Sequence, residues 1–206
     1  AHELARALRD EGIRCVWAAA HPLGADVPFG LAAALLRASL EGEGDDEESA
    51  LAHLPRWLEA HAPGAPAAFG RGLRALLRPD EAAPDPTRRG DLVRHAFHGW
   101  VDAELARGPR VWILDDLHWA DAPSVELLGH ALRGADRALS VVGLARPALA
   151  DRFPRLWAGR ASTLALPELD PAAAAALIDA VLGEVDPARR EELVDPYKVT
   201  HSNHPL

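Results

Sequence analysis

Two adjacent carboxylates, Asp115 and Asp116, follow directly on the run Val111-Trp112-Ile113-Leu114. Four such apolar residues read as a strand buried on both faces, which puts the pair at its carboxyl end, the edge where open parallel sheets bind ligands. Phosphoryl-transfer chemistry needs a pair of this kind. One carboxylate holds Mg²⁺, usually through water because this ion dehydrates reluctantly, and a second polar group orients or deprotonates the attacking water. Neighbouring side chains leave a strand end in different directions, so Asp115 and Asp116 can divide those roles. Two other readings of the same segment stay open. The pair can simply open a loop and cap the next helix, or Asp115, Asp116, His118 and Asp121 can form a transition-metal site, although no convincing second ligand group lies nearby. Asp121, just ahead of Ala122-Pro123, reads as a helix N-cap, and His118 and Trp119 as packing residues of the loop.

The elements that must position this pair alternate along the chain. Residues 1–10 carry a helical pattern closed by Gly12, and Ile13 to Ala18 is short, β-branched and aromatic enough for a strand. A loop spans residues 21–30, an Ala/Leu-rich helix residues 31–40, and two short helices residues 50–61 and 67–78. Residues 79–90, with Pro79, Pro84 and Pro86, read as a polar linker. Leu92, Ala96, Phe97, Trp100, Val101 and Leu105 recur at helical spacing and end near Gly108-Pro109. The strand at 111–114 follows, then a helix over 122–134, a buried strand at 139–144 and another at 162–166. After Pro167 only helices are expected, at 171–182 and 186–194. Helices alternating with buried strands predict an α/β fold with a parallel sheet covered on both faces, followed by a small helical subdomain.

Composition narrows the function classes. The 206 residues carry a net charge of −9, with Glu41, Glu43, Asp45, Asp46, Glu47 and Glu48 in one stretch that reads as a solvated loop. No basic footprint for gripping nucleic acid is present. No apolar run approaches the roughly 20 residues of a membrane helix, so no membrane partner is expected. A lone Cys15, expected as an inert core thiol, suits a reducing, cytoplasmic compartment. The Gly-x-Ser-x-Gly elbow of hydrolases is absent.

The segment Leu114-Asp115-Asp116-Leu117-His118-Trp119-Ala120-Asp121 closely resembles the Walker B segment of signal-transduction ATPases of the STAND class. These are P-loop ATPases related to AAA+ ATPases, found in large LuxR-type transcriptional regulators and in some bacterial Ser/Thr kinases and cyclases. The resemblance implies that Asp115 organises Mg²⁺ and Asp116 positions the attacking water. Leu144-Ala145-Arg146-Pro147 looks like the family's strand end that senses the terminal phosphate, which nominates Arg146. Leu166-Pro167-Glu168-Leu169-Asp170-Pro171 resembles the approach to the family's helical lid. His201-Ser202-Asn203-His204-Pro205-Leu206 stands where the family shows Gly-Gly-Asn-Pro-Leu, so Pro205 matches the proline that packs on adenine. Ser202, Asn203 and His204 depart from that pattern.

No Gly-x-x-x-x-Gly-Lys-Ser/Thr phosphate loop occurs in the 206 residues. In the family it directly precedes the helix leading to the strand like residues 13–18, so the resemblance implies a chain that starts just after it. The missing first strand belongs centrally, between those expected at 139–144 and 162–166. The implied organisation is a partial P-loop ATPase core over residues 1–167, with 41–90 a helical and loop insertion, and an incomplete helical lid over 168–206. The implied function is an ATP- and Mg²⁺-dependent signalling switch. Its partners are other domains of the same parent protein and further copies of itself. The alternative is a non-catalytic scaffold that keeps the fold to bind partner proteins.

Overall fold

A computed structural model describes residues 2–25, 27–40, 46–78, 85–133, 138–157, 159–167 and 169–183. The expected helix at 186–194 and the turn containing Pro205 lie outside the described residues. The chain divides into two compact units, Ala1–Ala161 and Ser162–Leu206.

The first unit is built on three parallel strands. They are β1 (Arg14–Ala19), β2 (Arg110–Asp115) and β3 (Leu139–Gly143), in the order β1-β2-β3. Val111 to Leu114 are all buried, because β2 is central and covered on both faces. The alternation of side chains splits the sheet between two cores. Val16, Ala18, Trp112 and Leu114 point to the larger one, under helices α2 (Gly30–Ser39), α3 (Glu47–His61), α4 (Ala67–Leu77), α5 (Pro86–Ala106) and α6 (Ala122–Ala131). Val111 and Ile113 point the other way and pack with Ala5 of α1 (His2–Asp10). This is the expected α/β architecture, with helices on both faces of a parallel sheet.

Aromatic and small residues lock the larger core. Trp100 stacks on Trp112 with 5.6 Å between ring centroids and an 8° interplanar angle, tying α5 to β2. Helices α4 and α5 approach so closely that a Cβ on Gly72 would meet Ala96 Cβ and lie 2.7 Å from the Leu92 carbonyl oxygen. At the amino end of β2, Glu104 is 1% exposed and accepts from Arg107 (2.7 Å), Arg110 (3.0 Å) and Trp57 (3.0 Å). Burial alone pushes the Glu104 carboxyl up, but the two guanidiniums and the indole N–H outweigh it, and the net shift is downward.

Several expectations need correction. Residues 162–166 form no strand: a strand needs a pairing neighbour, and Leu164 and Leu166 are exposed at 83% and 77%. Strand β3 is half-exposed rather than buried, because among the described residues it pairs on one side only, with β2. Helix α5 starts within the expected linker, where Asp85 accepts from the Thr87 N–H and Pro86 supplies a first helical residue that needs no donor. The acidic run is not wholly a loop. Asp46 caps α3 by accepting from Ser49 N–H at 2.8 Å, and Glu47 pairs with Arg78 at 2.7 Å. Cys15 is half-buried rather than enclosed. Burial raises its pKa against the opposing pull of Arg9, which keeps the thiol protonated.

In the second unit, Ser162 to Pro167 form no helix or strand and are exposed. Helix α7 (Leu149–Arg152) closes the run of helices in the first unit, and α8 (Pro171–Leu182) belongs to the second. Asp170 caps α8 through the Ala173 N–H at 2.7 Å. Leu177, Val181 and Leu182 on this helix are exposed.

Candidate functional site

The strand β2 runs straight to Asp115, whose Cα pairs with Ala19 of β1. Asp116 then turns the chain with φ 50° and ψ 36°, the left-handed region that Asp tolerates better than bulkier residues. A single 3₁₀ turn, Leu117–Trp119, follows, closed by the Trp119 N–H to the Asp116 carbonyl at 2.8 Å. This turn is tied to the end of β3: the Leu117 N–H donates to the Leu144 carbonyl at 2.9 Å, and the Leu144 N–H to the Leu114 carbonyl at 2.8 Å. Asp115, Asp116 and Arg146 therefore share the carboxyl edge of the sheet.

The side chains at this edge are held to different degrees. Oδ1 of Asp115 accepts from the Asp116 N–H at 2.9 Å, while Oδ2 has no partner among the described residues. Asp116 is exposed, with its side chain at 58%. The Arg146 guanidinium is exposed and makes no ion pair among the described residues. His118 ties the turn to the backbone of Arg146. Its ring is 6% exposed, Nδ1 accepts from the Arg146 N–H at 3.4 Å, and the same nitrogen lies 3.9 Å from Asp116 Oδ1. Accepting at Nδ1 places the ring proton on Nε2, which is buried and has no partner among the described residues. Arg152 fixes the turn from outside, donating to the His118 carbonyl at 3.2 Å.

Oxygen donors of this kind suit a hard cation: a carboxylate with one free oxygen on a rigid strand end, beside a second, solvated carboxylate. Asp115 is the residue that could hold Mg²⁺. Among the described residues no group of three or more His, Cys, Asp or Glu side chains could hold a metal by itself. A separate cavity of about 560 Å³ opens beside the turn, lined by Trp119, Asp121 and Phe29 among others, but not by Asp115, Asp116 or Arg146.

Sequence reasoning treated Asp121 as a plain N-cap and Trp119 as a packing residue. Asp121 does cap α6, accepting from Ser124 N–H at 2.8 Å. It also receives the Phe29 N–H at 2.8 Å and the Leu31 N–H at 3.2 Å, so one buried carboxylate closes the amino ends of two helices. Ser124 Oγ extends the clamp by accepting from Ala32 N–H at 3.0 Å. Trp119 is 38% exposed and faces the cavity. The pairing of Asp121 with residues about 90 positions away leaves no local signal.

A parallel α/β sheet with this strand order and this carboxylate-bearing edge is a P-loop NTPase-like fold. Within that class, the AAA ATPase domain family matches residues 1–144, and the chain belongs to that family. Membership makes this a nucleotide-binding, ATPase-related module. The match ends at Leu144, so Arg146 and Pro205 lie beyond it. No curated protein and no solved structure gives a significant match to the chain. Among the described residues no helix is long and apolar enough to cross a membrane.

Proposed function

We propose that this chain is the switch module of a larger bacterial regulator of the STAND class, binding and hydrolysing ATP to set a conformational equilibrium. The observation that carries the reading is the convergence of Asp115, Asp116 and Arg146 on one sheet edge, where the Arg146 N–H donates to His118 in the turn that Asp116 opens. Bound Mg²⁺ supplies neutralisation of phosphate charge. Asp115, whose Oδ2 has no partner among the described residues, would hold that ion. Asp116 orients the attacking water and takes its proton. Arg146, free of ion pairs among the described residues, donates to the terminal phosphate. Residues 1–167 act as the ATPase core and 168–206 as the lid, with Pro205 packing on adenine. The module works in the cytoplasm, with other domains of its parent and further copies of itself as partners, and contacts no nucleic acid directly.

The decisive assay is Mg²⁺-dependent ATP binding and hydrolysis by protein in which a Gly-rich phosphate loop precedes Ala1. Asp115→Asn should weaken ATP binding in Mg²⁺ but not in its absence. Equal weakening with and without Mg²⁺ would remove Asp115 from the metal's surroundings. The alternative reading is a non-catalytic, partner-binding scaffold that keeps the fold. Protein with its natural upstream sequence that binds no ATP supports the scaffold.

A further inference from the structure

Behind the turn that bears Asp116 lies a second cavity, of about 590 Å³, between α6 and the segment that follows α7. Its volume is within the range of small-molecule sites. Four guanidiniums line it, from Arg133, Arg152, Arg155 and Arg160, against the single carboxylate of Glu126. A concentration of positive charge of this kind is unexpected in a chain whose net charge is −9. Two of the four are committed to backbone carbonyls: Arg152 to His118 and Ala25, and Arg160 to Leu132 at 3.1 Å. The Arg133 and Arg155 side chains make no ion pair or hydrogen bond among the described residues.

The same cavity contains two flat rings. Phe153 carries the Arg152 guanidinium 5.5 Å from its centroid. Trp157 stands at φ 47°, a left-handed conformation that a bulky residue keeps only where the surroundings impose it. The Nε1 edge of its indole packs against Gly129 of α6, which leaves the rest of the ring to line the cavity. Four guanidiniums against one carboxylate, two of them uncommitted, beside two flat rings suit an acceptor-rich, anionic occupant. Arginine forks match phosphate oxygens in pairs, and aromatic faces take planar rings.

We infer that this cavity binds a nucleoside monophosphate or a ligand of the same chemistry, a phosphate joined to a planar ring, with Arg133 and Arg155 on the phosphate. The inference goes beyond the switch reading and does not depend on it, because neither Asp115, Asp116 nor Arg146 lines the cavity. Arg152 belongs both to this cavity and to the turn carrying His118, so an occupant touches the residue that anchors that turn.

Calorimetric titration of the 206-residue chain with AMP, GMP, ribose 5-phosphate and pyrophosphate tests the site. Saturable binding of a monophosphate is expected, with ribose 5-phosphate and pyrophosphate at least about 10-fold weaker for want of a planar base. Arg133→Gln with Arg155→Gln should weaken the monophosphate by about 10-fold or more per guanidinium. The melting temperature should stay unchanged, because neither side chain makes a bond in the fold. No saturable binding of AMP or GMP up to ~5 mM overturns the inference. So does undiminished binding by the double variant, or equal binding of pyrophosphate. Binding of an oligoglutamate peptide in place of the monophosphates would assign the surface to a protein partner and likewise overturn it.

Discussion

Replacing Asp121 by Ala should cost far more than the loss of a helix cap. An exposed N-cap is worth about 0.5–2 kcal/mol. Asp121 is 3% exposed and receives three N–H donors, two at 2.8 Å and one at 3.2 Å. Each buried donor left unsatisfied costs about 1–3 kcal/mol. The adjoining cavity of about 560 Å³ lets water reach part of the clamp, which favours the lower end of that range. A loss of about 3–5 kcal/mol follows, a large share of the 5–15 kcal/mol that holds a typical domain. With a urea slope of roughly 2 kcal/mol per molar, the unfolding midpoint should fall by about 1.5–2.5 M. Asp46→Ala serves as the internal comparison, since it removes one cap bond of 2.8 Å from an exposed site and should shift the midpoint by only ~0.5 M. If the two variants shift the midpoint equally, Asp121 is an ordinary cap and the clamp argument fails.

Three other perturbations follow from the same geometry. Glu104→Gln removes the charge that pairs buried Arg110 and should cost about 3–5 kcal/mol in urea melts near neutral pH. Glu104 folds with its pKa below the ordinary 4.5, so its contribution is whole above that value and drains away as pH falls through the folded pKa. The wild type should therefore lose more stability than Glu104→Gln between about pH 7 and about pH 3, and equal losses would refute the assignment. Gly72→Ala gains up to ~1 kcal/mol of helix propensity, but its Cβ would stand 2.7 Å from the Leu92 carbonyl oxygen. Overpacking should win, for a net loss of about 1–3 kcal/mol, and a stabilised variant would show that α4 and α5 can separate freely.

The strands were legible because they are continuous apolar runs. Residues 13–18 and 111–114 fall within one residue of β1 and β2, and 139–144 overlies β3. The edges of the sheet were not legible. Whether Leu139 to Gly143 is covered, or Ser162 to Leu166 paired, depends on what lies beside them, and a single strand's sequence carries no record of its neighbour. The start of α5 could have been found: Asp85-Pro86 is an N-cap followed by a first-turn proline, hidden by the charges of Arg88 and Arg89. At the candidate site, the placement of Asp115 and Asp116 at a strand end was readable from the apolar run before them. The contact of His118 with the Arg146 amide was not, because it joins two strand ends 28 residues apart. The cavity arginines are spread from 133 to 160 and converge only through tertiary packing.

The most direct test of the central claim is single-turnover ATP hydrolysis by Asp116→Asn, in protein that carries a phosphate loop ahead of Ala1. Asp116 is exposed, and its side chain makes no hydrogen bond among the described residues, its nearest polar approach being 3.9 Å to His118 Nδ1, so the isosteric change should leave folding and ATP affinity intact. Losing a group that positions and deprotonates water lowers the chemical step by about 10²–10⁴-fold. That is roughly 3–5 kcal/mol of barrier, far beyond the effect of an isosteric change on packing. Single-turnover conditions separate this loss from slow product release. ATP bound as tightly as by the parent, and hydrolysed at least about 100-fold more slowly, is the predicted result. Hydrolysis at the parental rate would contradict the account and return Asp116 to the role of a loop residue.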